Sequence, residues 1–177
     1  MQEALRAIAA RSSTRKYTDE KLTKEQLDIL IDAALQAPTA TNRQEIHVTV
    51  VDGDNPILAE IECEMRGCTA DQLPAQNFYY GAPTLLMLSG EKAFSWTPVD
   101  AGIAVENIAI AAEAIGLGSV IIGCIKKAMN GEKQESFSGR LKFPEGYAFE
   151  VGIAVGHKAD DKTPHTYSKE KSVTIID

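Results

Sequence analysis

With 177 residues, 44% of them hydrophobic, the chain can bury one sizeable core, so a single domain over residues 1–177 is expected. A formal net charge of −7 argues against a nucleic-acid partner, whose backbone phosphates would be repelled overall. No apolar run reaches the roughly 18 residues needed to span a bilayer, and Met1–Leu5 has no basic segment ahead of an apolar core, so a cytoplasmic location is expected.

Ala4, Leu5, Ile8 and Ala9 form an apolar stripe on a first helix ending near Arg11. The following Ser12–Tyr17 is too rich in hydroxyl and β-branched residues to continue it. In an extended segment Arg11, Ser13 and Arg15 point the same way. That set reads either as an anion site or as basic residues complementing a helix C-terminus. Thr23 and Gln26 make a capping box, and Leu27, Leu30, Ile31, Ala34 and Leu35 follow at helical spacing. After Ala37-Pro38 comes a polar loop, Thr39–Gln44, which by itself reads as a surface turn.

Ile46–Val51 reads as a strand with His47 on its polar phase. Asp54-Asn55-Pro56 opens a helix that Gly67 ends. A short helix is expected within Ala70–Tyr79, and Leu85–Leu88 reads as a central strand. Cys63, Cys68 and Cys124 read as reduced packing thiols rather than metal ligands, since Cys63 and Cys68 lack the usual pair spacing.

The stretch Thr97–Gly123 organises the rest. Thr97 is expected to cap a helix, with Pro98 at its first position and Asp100 completing a capping pattern. From Ala101 to Ile115 only Glu106, Asn107 and Glu113 are polar, so the helix should be surrounded by protein. Gly116 and Gly118 stop it, and Ser119–Ile122 reads as a buried strand ending at Gly123. These glycines follow a helix and precede a strand, the reverse of a dinucleotide-binding loop, and Ile121 stands where its third glycine belongs. Trp96, just ahead, reads as a stacking or a half-buried structural residue. Beyond Gly123 a short helix with loops is expected, then a turn at Phe143–Gly146, a strand over Tyr147–Val155, and a final apolar strand over Ser172–Ile176 that needs a partner edge.

In order along the chain, these segments resemble the FMN-dependent nitroreductase family in its small single-domain form. Arg11-Ser12-Ser13-Thr14-Arg15 resembles its Arg-x-Ser-x-Arg/Lys motif, and Pro38-Thr39-Ala40-Thr41-Asn42-Arg43-Gln44 its Pro-Ser-x-x-Asn-x-Gln loop. Asp100–Asn107, Gly116–Ser119 with Ile122-Gly123, and Phe143–Tyr147 with Val155-Gly156 resemble its central helix and core strands. The resemblance implies an α+β fold, a mainly antiparallel sheet flanked by helices, in an intertwined homodimer with C-terminal strand exchange. It implies FMN held by Arg11, Ser12 and Ser13 at the phosphate and ribityl chain, with Arg15 near N1 and O2 of the ring. Pro38, Thr39 and Asn42 would reach the flavin from the other subunit, Ile121, Ile122 and Gly123 would line the ring, and His165 would lie near the phosphate. Tyr167 stands where relatives carry a tail arginine.

The implied activity is NAD(P)H-dependent reduction of nitroaromatics, quinones or similar acceptors. It would run by ping-pong hydride transfer through flavin N5, with Arg15 supporting and neither a nucleophilic residue nor a metal. NADH or NADPH would be the donor. The alternative of another class is a flavin-binding redox sensor or cofactor store without turnover.

Overall fold

The computed structural model describes residues 2–176. Its seven helices and four strands run α1 (Glu3–Ala10), α2 (Lys24–Leu35), β1 (His47–Asp52), α3 (Ile57–Arg66), β2 (Thr84–Glu91), α4 (Thr97–Ala114), β3 (Gly118–Ile122), α5 (Lys126–Met129), α6 (Gln134–Arg140), β4 (Tyr147–Gly156) and α7 (Lys169–Ser172). The strands form one antiparallel sheet in the order β1-β2-β4-β3. Helices cover both faces, so the class is α+β.

β2 lies second in the sheet and is buried on both sides, which explains why Leu85–Leu88 reads as an unbroken apolar run. Successive side chains alternate between faces. Leu86 and Leu88 join Leu30 and Ala34 of α2 and Ala104, Val105, Ile108 and Ala112 of α4 in one core. Leu85 and Met87 join α3, α5, α6 and Phe149 in the other.

The capping box predicted at Thr23 and Gln26 forms, and Gly67 closes α3 in the left-handed conformation at φ 65°. Three expectations are corrected. Thr97 is the first residue of α4 rather than its cap; its hydroxyl donates to the Glu91 carbonyl at 2.9 Å, and Trp96 takes the cap position. Asp100 serves not its own helix end but the backbone N–H of Ala40, at 2.9 Å. The helix expected within Ala70–Tyr79 shrinks to one 3-10 turn, Ala70–Gln72, because the backbone turns extended at Leu73 and continues through bends and turns. The segment expected as a final strand meets no edge in this single chain: α7 ends at Ser172, and among the described residues beyond it Val173, Ile175 and Ile176 are exposed.

α4 also departs from the expectation of full enclosure. Ala101, Ala104, Val105, Ile108, Ala109 and Ala112 are buried, whereas Val99, Gly102 and Ile103 face outward. Each member of its polar stripe holds a neighbour in place. Asn107 donates to the Ala33 carbonyl of α2 at 3.1 Å, Glu106 pairs with Arg11 at 3.3 Å, and Glu113 binds Lys158 at 2.8 Å.

Candidate functional site

Helix α1 stops at Arg11, where the backbone turns extended, and the next residues are laid against the free edge of β3. Ser13 bridges Ser119, and the Thr14 N–H donates to the Ser119 carbonyl at 2.9 Å. Gly118 permits this approach, since a Cβ there would lie 2.6 Å from Thr14 Oγ1. The Tyr17 hydroxyl donates to the Thr14 carbonyl at 2.9 Å and the Ala154 carbonyl at 3.3 Å. Burial pushes this phenol well above its ordinary pKa, so it stays a neutral donor at working pH.

Arg11, Ser12 and Ser13 are half-buried on this edge, while Arg15 is exposed. The two arginines do not share one side. Arg11 turns to Glu106 on α4, and the Arg15 guanidinium lies 5.5 Å from the ring centroid of Tyr80, which packs against the core on the opposite face. The segment is bridged at Ser13 alone and is not a regular strand, so strict alternation does not hold through it.

The tail returns to the same edge. Tyr17 bridges Lys158, the Thr18 N–H donates to the His157 carbonyl, and the Ala159 N–H to the Lys16 carbonyl. This run delivers Lys162, whose Nζ donates to the Ser13 carbonyl at 3.1 Å. Sequence reasoning misses Lys162, because a lysine in a polar tail gives no positional signal until the chain is folded back. Lys158 is committed to Glu113. His165 is exposed, and Tyr167 is 76% exposed.

On β3, Ile121 is exposed and Gly123 has open space where a Cβ would stand. Ile122 is buried in the core beneath, so only its backbone is available to a ligand on this edge.

The Thr39–Gln44 loop is shaped by its own hydrogen bonds. The Asn42 N–H donates to the Thr39 carbonyl and the Gln44 N–H to the Thr39 hydroxyl, both at 2.9 Å. Thr41, Asn42 and Gln44 all sit at φ 55°, a region that costs non-glycine residues about 1–3 kcal/mol each. External anchors offset this strain. Arg43 pairs with Glu91 at 2.7 Å and lies 4.7 Å over the Phe94 ring, and Asp100 holds Ala40. Pro38 and Asn42 are exposed and Thr39 is half-buried.

All these anchors lie at the N-terminal end of α4. Arg11 engages the same helix six positions further on, about 9 Å along its axis. One chain therefore gathers the 11–15 segment, β3 and Lys162 on one edge and holds Pro38, Thr39 and Asn42 elsewhere. Among the described residues, no group of three or more His, Cys, Asp and Glu is placed to hold a metal, and no helix is long and apolar enough to cross a membrane.

Residues 8–157 match the model of the nitroreductase family. The chain belongs to that family. Relatives agree along most of the chain. An FMN reductase [NAD(P)H] of Bacillus subtilis is 29% identical over 183 residues, covering 90% of this chain and 68% of the relative. The crystal structure of a nitroreductase with bound FMN from Desulfitobacterium hafniense superposes with a TM-score of 0.88 at 32% identity, covering all of both chains. An FMN-dependent nitroreductase of Clostridium difficile gives 0.80 at 30% identity, covering 98% of each. The edge built by residues 11–15 falls within the matched region.

Proposed function

We propose that this chain is a cytoplasmic, single-domain, FMN-dependent NAD(P)H oxidoreductase. It would pass electrons to nitroaromatics, quinones or similar acceptors by a ping-pong cycle. The observation that carries the reading is the edge beside β3, where Ser13 bridges Ser119 and Lys162 reaches the Ser13 carbonyl, with Arg11 and Ser12 adjoining in the chain. This donor set fits the anionic end of FMN, since guanidinium, ammonium and hydroxyl groups form charge-assisted bonds to phosphate. Exposed Ile121 and the open backbone at Gly123 fit a flat aromatic ring. When bound, FMN would supply a hydride acceptor and donor at N5.

The chain's own residues would do the rest. Lys162, and Arg11 shared with Glu106, would neutralise the phosphate. Arg15 sits beyond Ser13 with a free approach to solvent and would face the edge of the ring where negative charge develops; a cation there stabilises the reduced state. Thr39 and Asn42 are anchored at the N-terminal end of α4, away from the Arg11 contact, and would serve a second copy's flavin. The exposed apolar residues Leu5, Ile8, Val99 and Ile103, with the unpaired tail Val173–Ile176, support a homodimer in which the tail is exchanged. Under this reading the partner covers the open face of α4.

The test is to purify the protein, identify any released flavin by chromatography, and mix the holoprotein anaerobically with NADH or NADPH and then with acceptor. Rapid bleaching followed by reoxidation is expected. FAD, or bound FMN that neither nucleotide reduces, would reject the reading, the latter in favour of a flavin store.

A further inference from the structure

Glu45 closes the strained 39–44 loop and is 3% exposed, yet neither carboxyl oxygen has a hydrogen-bond partner of good geometry among the described residues. The side chain facing it is Asp100 of α4, itself 2% exposed. Two buried carboxyls in contact cannot both ionise without a large electrostatic penalty. Asp100 is already engaged as an acceptor. It lies in the first turn of α4, where the helix N-terminus favours an anion, and it accepts the Ala40 N–H at 2.9 Å. Glu45 has neither advantage. Arg43, the other charged group facing it, is already committed to Glu91 and stacked on Phe94.

We propose that the Glu45–Asp100 pair shares one proton and acts as a latch that positions the 39–44 loop. Glu45 carries the proton and donates it to Asp100, which simultaneously holds Ala40, so both ends of the strained turn are tied to α4 through one carboxylate. The latch depends on pH. Burial first, and Asp100 after it, push the Glu45 carboxyl above the ordinary glutamate value, against its own backbone N–H and Arg43. A folded-state pKa raised in this way gives stability that is complete below the ordinary carboxylate range and is lost as pH rises through the folded value. Glu45 is thus a positioning residue, acting through the loop that carries Thr39 and Asn42.

The consequence for ligand rests on the FMN reading, so the test has one arm that does not use FMN. Difference infrared spectra of wild type against Glu45→Gln at neutral pH should show a protonated buried carboxyl in the wild type. Denaturant unfolding across pH should show wild type losing stability relative to Glu45→Gln as pH rises, because the amide donates to Asp100 at every pH. In the second arm, the full-length protein is titrated with FMN. Titration of the FMN phosphate cancels in the ratio of variants, and the affinity of wild type relative to Glu45→Gln should fall by about tenfold between about pH 6 and about pH 9. Asp100→Asn, whose amide does not repel an ionised Glu45, should reduce the slope without abolishing it, since Glu45 stays buried, and serves if Glu45→Gln folds poorly. An ionised Glu45 at neutral pH, or the same pH slope in wild type and both variants, overturns the proposal. If no variant binds FMN but the infrared and stability results hold, the cofactor reading fails and the latch stands.

Discussion

Gly118→Ala tests how the anion-binding edge is built. The added methyl carbon would lie 2.6 Å from Thr14 Oγ1 and 2.8 Å from both Thr14 Cγ2 and Lys158 Cγ. Comfortable carbon contacts begin near 3.5 Å, so each is short by roughly 0.7–0.9 Å. Lys158 has a flexible stem, but its Nζ is held by both oxygens of Glu113. Thr14 has less freedom: it is β-branched, buried, and tied through its N–H to Ser119. The strain therefore falls on the backbone at residues 13–15, which must retreat from β3 or force Thr14 off its rotamer. Overpacking of this kind costs about 1–3 kcal/mol. At about 2 kcal/mol, and roughly 2–4 °C per kcal/mol for a chain of this size, the melting temperature of the flavin-free protein should fall by about 4–8 °C. Displacing Ser12 and Ser13 should also weaken FMN binding, by about tenfold, the equivalent of about 1.4 kcal/mol. Gly139→Ala is the matched control. It lies within α6 with nothing within 4 Å of its Cβ position, and should raise stability by about 0.5–1 kcal/mol without touching FMN affinity. Thermal melts and FMN titrations of the three proteins decide the matter. A Gly118→Ala protein that melts and binds like wild type would refute the packing argument.

Three further outcomes are expected. Arg15→Ala should slow flavin reduction by NAD(P)H in stopped flow far more than it weakens FMN binding, since its partner charge develops only on reduction; equal losses would reject the role. Lys162→Ala should weaken FMN binding about tenfold, with the loss shrinking at high salt, and Tyr167→Arg should restore most of it in that background while changing wild type less. An unchanged titration in Lys162→Ala would remove that lysine from the phosphate site. Light scattering over a dilution series should show a dimer to low micromolar concentration, and deleting residues 173–177 should weaken it; a flavin-bound monomer would exclude the exchanged-tail arrangement.

Local signals in the sequence determined much of this protein. The Thr23–Gln26 box, the glycine stops at Gly67 and Gly116, and the apolar runs of β2 and β3 act over a few residues, and a few residues suffice to read them. The motif Arg11–Arg15 was legible as a candidate anion site for the same reason. Tertiary structure alone decided which alternatives hold. Thr97 and Asp100 carry capping chemistry, yet their side chains serve Glu91 and Ala40, because folding brings better-placed partners than their own helix end. Lys162 reaches Ser13 only because the tail pairs with residues 16–18, a contact between segments more than a hundred residues apart. Glu45 reads in sequence as one more polar loop residue. Its burial against Asp100 depends on where the loop docks, and long-range docking leaves no periodic mark on the chain.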